Sequence, residues 1–505
     1  MNQVMKLRNN PMVFEKHILS KSTFMYGSQC LKRLYLHKKF PKLKDDLSAQ
    51  QQSIFSTGTN VGELAQQLFP SGVDCTPESY YDFRPSINKT KELIASKHPA
   101  IYEAAFQFEQ VLVALDILVL KEDGWHAYEV KSTNSTKDTH VKDAALQYWV
   151  ISNSGLELQS MNVMHFNPEY IRQGELDVQS LFAWDDITEQ VKELQPFIEE
   201  QIKVEKNCLT GTEIPEVEIG GHCFDPYGCD FAGHCWKHVP NYSVFNLTRA
   251  GGKSWDLYNK GILEIKDIPT DYPLSDSQQL QVECERSGQT FINQEGIGSF
   301  LQDLVYPLYF LDFETIMPAI PLYDQSKTYQ MIVFQYSLHI QEKPGAPVKH
   351  LEFLAQSDDS QPRTAMIDRL ILDIGTAGSI LVYNQSFEAS RLNEIARDFP
   401  KYQAPVSHMV DRMIDLAVPF QRKYYYTADM RGSYSIKKVL PALVPELAYN
   451  DLEIQEGGTA SLTFLQMVQG QFKGDEEKTR KALLEYCKLD TLAMVRILEE
   501  LRSQA

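Results

Sequence analysis

Long apolar runs are missing from this chain: no stretch approaches the roughly 20 residues that a bilayer-spanning helix needs. The opening segment, MNQVMKLRNNPMVFEKHILS, lacks the continuous apolar core and small-residue cleavage site of a secretory leader. Together these absences predict a cytoplasmic protein with no membrane partner. Cysteine is scarce, 8 in 505 residues, which excludes a disulfide framework. Cations are outnumbered, with 49 Lys and Arg against 67 Asp and Glu and a formal net charge of −18. That balance argues against a surface coated uniformly for phosphate. No G-x-x-x-x-G-K-[ST] motif occurs, so an ATP-driven motor is not encoded, and any unwinding would need an external helicase. Repeats and low-complexity tracts are absent too.

What is present is the composition of a folded protein, 43% apolar and 23% charged. The length predicts two to four domains. A helix is expected to open at Gly62–Phe69, followed by strands at 106–110, 111–120 and 125–130, the last two joined by a Glu-Asp-Gly turn. Helical spacing marks 143–152, a strand 161–166, and a long amphipathic helix 185–204. Short helices over 244–298 read as a linker module, and further strands are expected at 309–313 and 331–340 before a final helix at 476–501. The predicted division is 1–240, 241–300 and 301–505.

In the last third, Asp312 and Glu314 sit two apart on an apolar strand, which points both carboxylates to one face. Unpaired, they would repel, and a divalent cation removes that cost. Glu388 follows Asn384 and Phe387 early in a helix, and Tyr486 and Asp490 share a face of the last helix at a spacing of four. In this order the pieces resemble the DnaQ-like exonuclease superfamily, in its tyrosine-bearing DEDDy form. The resemblance implies a ribonuclease-H-like α/β domain from about Tyr306 to Arg502, with a mixed five-stranded sheet. It implies 3′–5′ exonuclease activity with two Mg²⁺ or Mn²⁺ ions held by Asp312, Glu314, Glu388 and Asp490, while Tyr486 orients or deprotonates the attacking water. Glu388 departs from the family, which usually has Asp there. Asp411 and Asp415 read as structural.

Nearer the start, Asp116 lies on one strand and Glu129 and Lys131 on one face of the next, so a hairpin would bring the three together. Two acids and an ammonium suit metal-assisted hydrolysis. With Gln147-Tyr148 on the following helix, the set resembles RecB-type PD-(D/E)XK nucleases. That implies a restriction-endonuclease-like α/β domain with Asp116 and Glu129 as metal ligands, Lys131 and Gln147 as catalytic partners, and Glu63 as an extra ligand. Gln66 stands where many such enzymes carry His. Cys30 precedes this block, and Cys223, Cys229 and Cys235 follow it at C-x₅-C-x₅-C spacing. The arrangement is similar to the iron–sulfur nucleases of the AddB kind. It implies a [4Fe–4S] cluster that staples the domain's ends, with Zn²⁺ as the alternative for four thiolates. His222 and His234 read as ordinary surface histidines, with substitute ligands as the alternative, Trp236 as a shield for the site, and Cys75, Cys208, Cys284 and Cys487 as ordinary thiols.

Two basic stretches, 32–44 with six cations and 421–438 with five cations and four tyrosines, would suit a single strand. Taken whole, residues 20–502 resemble a bacterial two-nuclease family described as a domain of unknown function. The expected activity is metal-dependent hydrolysis of nucleic acid, with single-stranded DNA preferred over RNA, in repair or defence. The alternatives are an RNA-processing exonuclease, or a binding scaffold with one or both centres silent.

Overall fold

Apolar and β-branched residues crowd the segments around 100–130, and they assemble the larger sheet of the first of two compact units, Met1–Lys237 and His238–Ala505. A computed structural model describes residues 16–46, 49–447, 454 and 456–505. Residues 1–15, most of the opening segment read above as lacking a secretory leader, lie outside the described ones. Both units are mixed α/β structures. Among the described residues, no helix is long and apolar enough to cross a membrane.

In the first unit, β1 (Leu19–Ser20) leads directly into α1 (Lys21–Gln29), which is followed by α2 (Leu31–Lys39). The strands β2 (Val73–Asp74), β3 (Ala100–Phe108), β4 (Val111–Lys121) and β5 (Gly124–Val130) come next, then α3 (Asp138–Asn153), β6 (Leu158–Phe166), β7 (Phe182–Asp186) and α4 (Gln195–Thr210). The sheet runs β2-β3-β4-β5-β6-β7, with β1 alongside the start of β4. Strands β3, β4 and β5 form an antiparallel meander, whereas β5 and β6 are parallel and joined by α3. Leu115, Leu118, Ala127 and Val163 pack with Leu146 and Val150 of α3 in the core. At Gly27, a Cβ would lie 2.4 Å from Cδ of Glu205, so only glycine lets α1 approach α4 this closely. Burial pushes the Glu205 carboxyl up to about 9, so it packs as a neutral acid.

Two expected helices differ in the structure. The helix read as opening at Gly62 instead runs Ala49–Gln66 and closes there. The segment 185–204 is not one helix but the end of β7, a short helix Thr188–Glu193 and then α4. Pro196 explains the break: it lacks an N–H and is tolerated in a first turn, not inside a helix.

The second unit contains β8 (Phe291–Ile292), β9 (Leu308–Ile316), β10 (Ile332–Gln341), β11 (Lys349–Leu354) and β12 (Ser379–Val382). After β12 come α5 (Gln385–Asp398), β13 (Met413–Asp415), β14 (Tyr425–Tyr426), α6 (Ile436–Leu443), α7 (Gly457–Val468) and α8 (Glu476–Ser503). Its five-stranded sheet has the order β11-β10-β9-β12-β13; β10 is antiparallel to both neighbours, and β12 and β13 run parallel to β9. The helices expected as a linker belong to this unit, because Cys284, Ile297 and Phe300 share a core cluster with Leu308 and Phe310 of β9. Helix α8 is pinned to β10 by polar contacts. Gln335 Nε2 donates to the Leu483 carbonyl at 2.8 Å, and Thr491 Oγ1 lies 2.7 Å from Ser337 Oγ and 2.8 Å from His339 Nδ1.

Candidate functional site

The second unit brings its predicted acids together. Asp312 and Glu314 alternate along β9, which sets both side chains on the face that α8 covers. The pinned helix places Tyr486 and Asp490 over them, and both are buried. Glu388 sits in the first turn of α5 and is 2% exposed. That turn is fixed by Asp415, whose carboxylate accepts the N–H groups of Asn384, Gln385 and Ala417 at 3.0, 3.2 and 2.9 Å. Asn384 caps the helix in the left-handed region with φ of 83°.

The electrostatics record the convergence. Burial raises the Asp312 carboxyl well above its ordinary range, and Asp490, Glu314 and Glu388 push it further. Glu314 is pushed up to about 8 by burial and by Asp490, with Lys437 opposing. Burial and Asp415 push Glu388 up to about 8. Burial raises the Tyr486 phenol, and Asp490, Glu314 and Asp312 add to it. Glu388 Oε2 is buried with no hydrogen-bond partner. An orphaned carboxylate oxygen among crowded acids is the donor set that a hard divalent cation satisfies, so these residues fit Mg²⁺ or Mn²⁺.

Three neighbours of this cluster were not legible as part of it. Cys487 places Sγ 3.7 Å from Asp312 Oδ2, and Asp312, Glu314 and Cys487 offer ligand atoms within 4.8 Å of one another. Lys437, from the tyrosine-rich basic stretch, has its ammonium 5.6 Å from the Tyr486 ring centre. Gly457, at the start of α7, is the third: a Cβ there would lie 3.6 Å from Glu314 Oε2 and 3.7 Å from the Tyr486 hydroxyl. In the same basic stretch, Tyr426 is fully buried with the Lys423 ammonium 3.5 Å from its ring centre, whereas Tyr434 is 44% exposed.

The first unit also brings its set together, in a different charge state. Asp116 Oδ2 accepts the Val130 N–H at 2.6 Å. Glu129 is 1% exposed; its Oε1 lies 2.7 Å from the Lys131 ammonium and its Oε2 accepts from Gln147 Nε2 at 2.7 Å. Three residues join that sequence reasoning passed over. The Lys21 ammonium lies 2.7 Å from Glu129 Oε1, and Asp143 Oδ2 lies 2.5 Å from the Lys131 ammonium. Glu103, held at φ of 50°, stands on β3 between the residues paired with Leu115 and Ile117, across from Asp116. Asp143 precedes Gln147 by four on α3, a helical spacing that could have revealed it. Burial and the Glu129 charge push Asp116 up to about 8, and burial pushes Glu103 up to about 7. Burial alone would raise Glu129, but Lys131 and Lys21 outweigh it and hold that carboxyl below its usual range. Glu63 stands exposed on its helix.

Cys30, Cys223, Cys229 and Cys235 line one pocket, although 193 residues separate the first two, and all four are free thiols. Asp230 ties the pocket to α2, accepting from Arg33 Nε at 2.8 Å and pairing with the Lys44 ammonium at 3.0 Å. Those two cations of the first basic stretch are therefore occupied structurally. His222 also lines the pocket, and Phe224 packs at a tilt against Trp236 at 5.2 Å between ring centres. Burial pushes the Cys229 thiol up to about 11, so it keeps its proton at neutral pH.

Residues 309–435 match a protein family described as a domain of unknown function, DUF2779. The match takes in Asp312, Glu314, Glu388 and Asp415 and ends before Tyr486. The chain is also similar to proteins of Ureaplasma and Mycoplasma. It is 30% identical to the uncharacterized protein UU173 of Ureaplasma parvum over 241 residues, 43% of this chain and 34% of that one. It is 26% identical to the uncharacterized MG366 homolog of Mycoplasma pneumoniae over 298 residues, 52% of this chain and 45% of that one. With MG366 of Mycoplasma genitalium it shares 29% identity over 205 residues, 37% and 31% of the two chains. The chain thus spans less than half the length of each of these relatives, and a domain-of-unknown-function family is the kinship that residues 309–435 carry.

Proposed function

We propose that the second unit is a metal-dependent 3′–5′ exonuclease acting on single-stranded nucleic acid, DNA in preference to RNA. The observation that carries this reading is the convergence of Asp312, Glu314, Glu388 and Asp490 from three separate elements into one buried, under-neutralised cluster. A mixed five-stranded sheet with flanking helices, the framework implied by the ribonuclease-H-like resemblance, supports it. In the reaction, water adds to phosphorus of the terminal phosphodiester and the 3′ oxygen of the next nucleotide leaves. Divalent cations, when bound by the four acids, would offset the charge on the attacking and leaving oxygens. The chain's own parts do the positioning. Tyr486, whose phenol is raised by burial and the neighbouring acids in the metal-free protein, orients the attacking water or takes its proton. Lys437 supplies a positive charge beside that ring. End-labelled single-stranded DNA and RNA, incubated with Mn²⁺ or Mg²⁺, test the reading. Stepwise shortening from the 3′ end, faster on DNA and abolished by a chelator, is expected; intact strands of both kinds under all metals would refute it.

The first unit fits a PD-(D/E)XK-type reading in that an antiparallel hairpin sets Asp116 beside Glu129 and Lys131, with Gln147 on the crossover helix. Its four-thiol pocket supports a [4Fe–4S] cluster, which four cysteines bracketing a domain can hold as a staple. Anaerobically purified protein should be brown, with a broad visible absorption that bleaches on reduction and disappears in Cys30→Ser. A colourless preparation carrying stoichiometric zinc would assign the pocket to Zn²⁺ instead.

A further inference from the structure

The two acid clusters differ in one respect that bears on what each can bind. The second unit leaves Glu388 Oε2 without a partner; in the first unit Asp143 Oδ1 and Gln147 Oε1 are likewise unpartnered, but both oxygens of the central Glu129 are engaged. Two ammonium groups stand among the carboxyls of Asp116, Glu129, Asp143 and Glu103. Lys131 directly follows β5, but Lys21 comes from 108 residues before Glu129 in the chain. It is the first residue of α1, after the cap Ser20, whose N–H donates to Thr23 Oγ1 at 2.8 Å. A cation there opposes the helix dipole and gains nothing for the helix. The pairing of Leu19 and Ser20 with Val111 and Leu112 fixes the start of α1 beside β4, and the lysine stem reaches from there to the acids. Its ammonium lies 2.7 Å from Glu129 Oε1 and 4.0 Å from Asp143 Oδ2.

A divalent ion bound to Glu129 would take that same oxygen at about 2.0–2.2 Å, or take Oε2 in place of the Gln147 amide and still lie beside the ammonium on Oε1. At such range, an ammonium and a doubly charged ion around one carboxylate repel strongly in a buried setting. Glu129 and Asp116 therefore do not fit a metal while Lys21 holds its place. We infer that Lys21 is the resident cation of the first unit's acid cluster and competes directly with divalent metal for Glu129. The cluster admits a metal ion only as the ammonium withdraws, and Lys21 is the residue that sets its affinity.

Mn²⁺ binding to the full chain, followed by electron paramagnetic resonance of the free ion, tests this. An Asp312→Asn background removes a ligand of the other cluster, so the outcome does not depend on the exonuclease reading. Adding Lys21→Met should create or tighten one Mn²⁺ site at least tenfold, and adding Asp116→Asn to that variant should abolish the gain. Unchanged Mn²⁺ binding, or a gain that survives Asp116→Asn, would overturn the inference. Lys21→Gln serves as an independent variant. The unaltered chain gives a second readout: saturating Mn²⁺ should raise the rate at which Lys21 is acylated, measured on its peptide by mass spectrometry. An acylation rate indifferent to Mn²⁺ would equally overturn it.

Discussion

Replacing Asp312 by asparagine should lower the rate of strand hydrolysis on the order of 10³-fold while making the metal-free protein more stable. The two effects have one cause. Asp312 is buried against Asp490, Glu314 and Glu388, and it is raised well above its ordinary range by burial and by those charges. An amide of the same shape keeps the packing and stays neutral, so folding no longer has to protonate a buried carboxyl, and it also removes one anchor for a divalent ion. Relief of that cost, on the order of 1–2 kcal/mol, would lift the midpoint of a unit of this size by a few degrees. Thermal melts in chelator and hydrolysis of an end-labelled strand in Mn²⁺ measure the two halves. Loss of activity accompanied by a lower metal-free midpoint would show that Asp312 holds the fold rather than the metal.

The pH dependence of stability follows from the same cluster. Glu314 and Glu388 are each pushed up to about 8 by burial first, so between about pH 4 and 8 the folded state holds protons that the unfolded chain has released. Their contribution is complete below the unfolded carboxyl range and is lost as pH rises toward 8. Metal-free protein should therefore melt on the order of 10 °C higher at pH 5 than at pH 8.5. Asp116 and Glu103 in the first unit, pushed up to about 8 and about 7 by burial, act in the same direction. Saturating Mn²⁺ should cancel most of the slope for the second unit, because bound cations replace those protons. A metal-free melt that rises with pH across this window would contradict the assignment of these carboxyls as buried and mutually repelling.

Much of this was legible along the chain because strand and helix periods are local. Two residues on β9 and four on α8 suffice to put carboxylates on common faces, and the hairpin that joins Asp116 to Glu129 is announced by its Glu-Asp-Gly turn. The rest depends on packing between distant segments. Lys21 meets Glu129 only because a two-residue strand docks on β4, and Cys487 meets Asp312 only because Gln335, Ser337 and His339 seat α8 on β10. Apolar spacing misled at 185–204, where the periodicity continues but Pro196 has no N–H to carry one helix into the next, and the helical run breaks at Leu194. The basic stretch 32–44 misled differently, since charge along a sequence does not distinguish a free cation from Arg33 locked onto Asp230.

Helix α1 begins at Lys21 and ends one residue before Cys30, so a single rod about 14 Å long has its ammonium in the acid cluster and its far end at the thiol pocket. Between those ends it packs closely on the Glu205 side chain of α4 at Gly27. A shift of this helix would link what the thiols hold to what the acids hold, and such a linkage is reciprocal. Stripping the pocket should change divalent affinity some distance away by the same factor by which divalent ions change retention in the pocket.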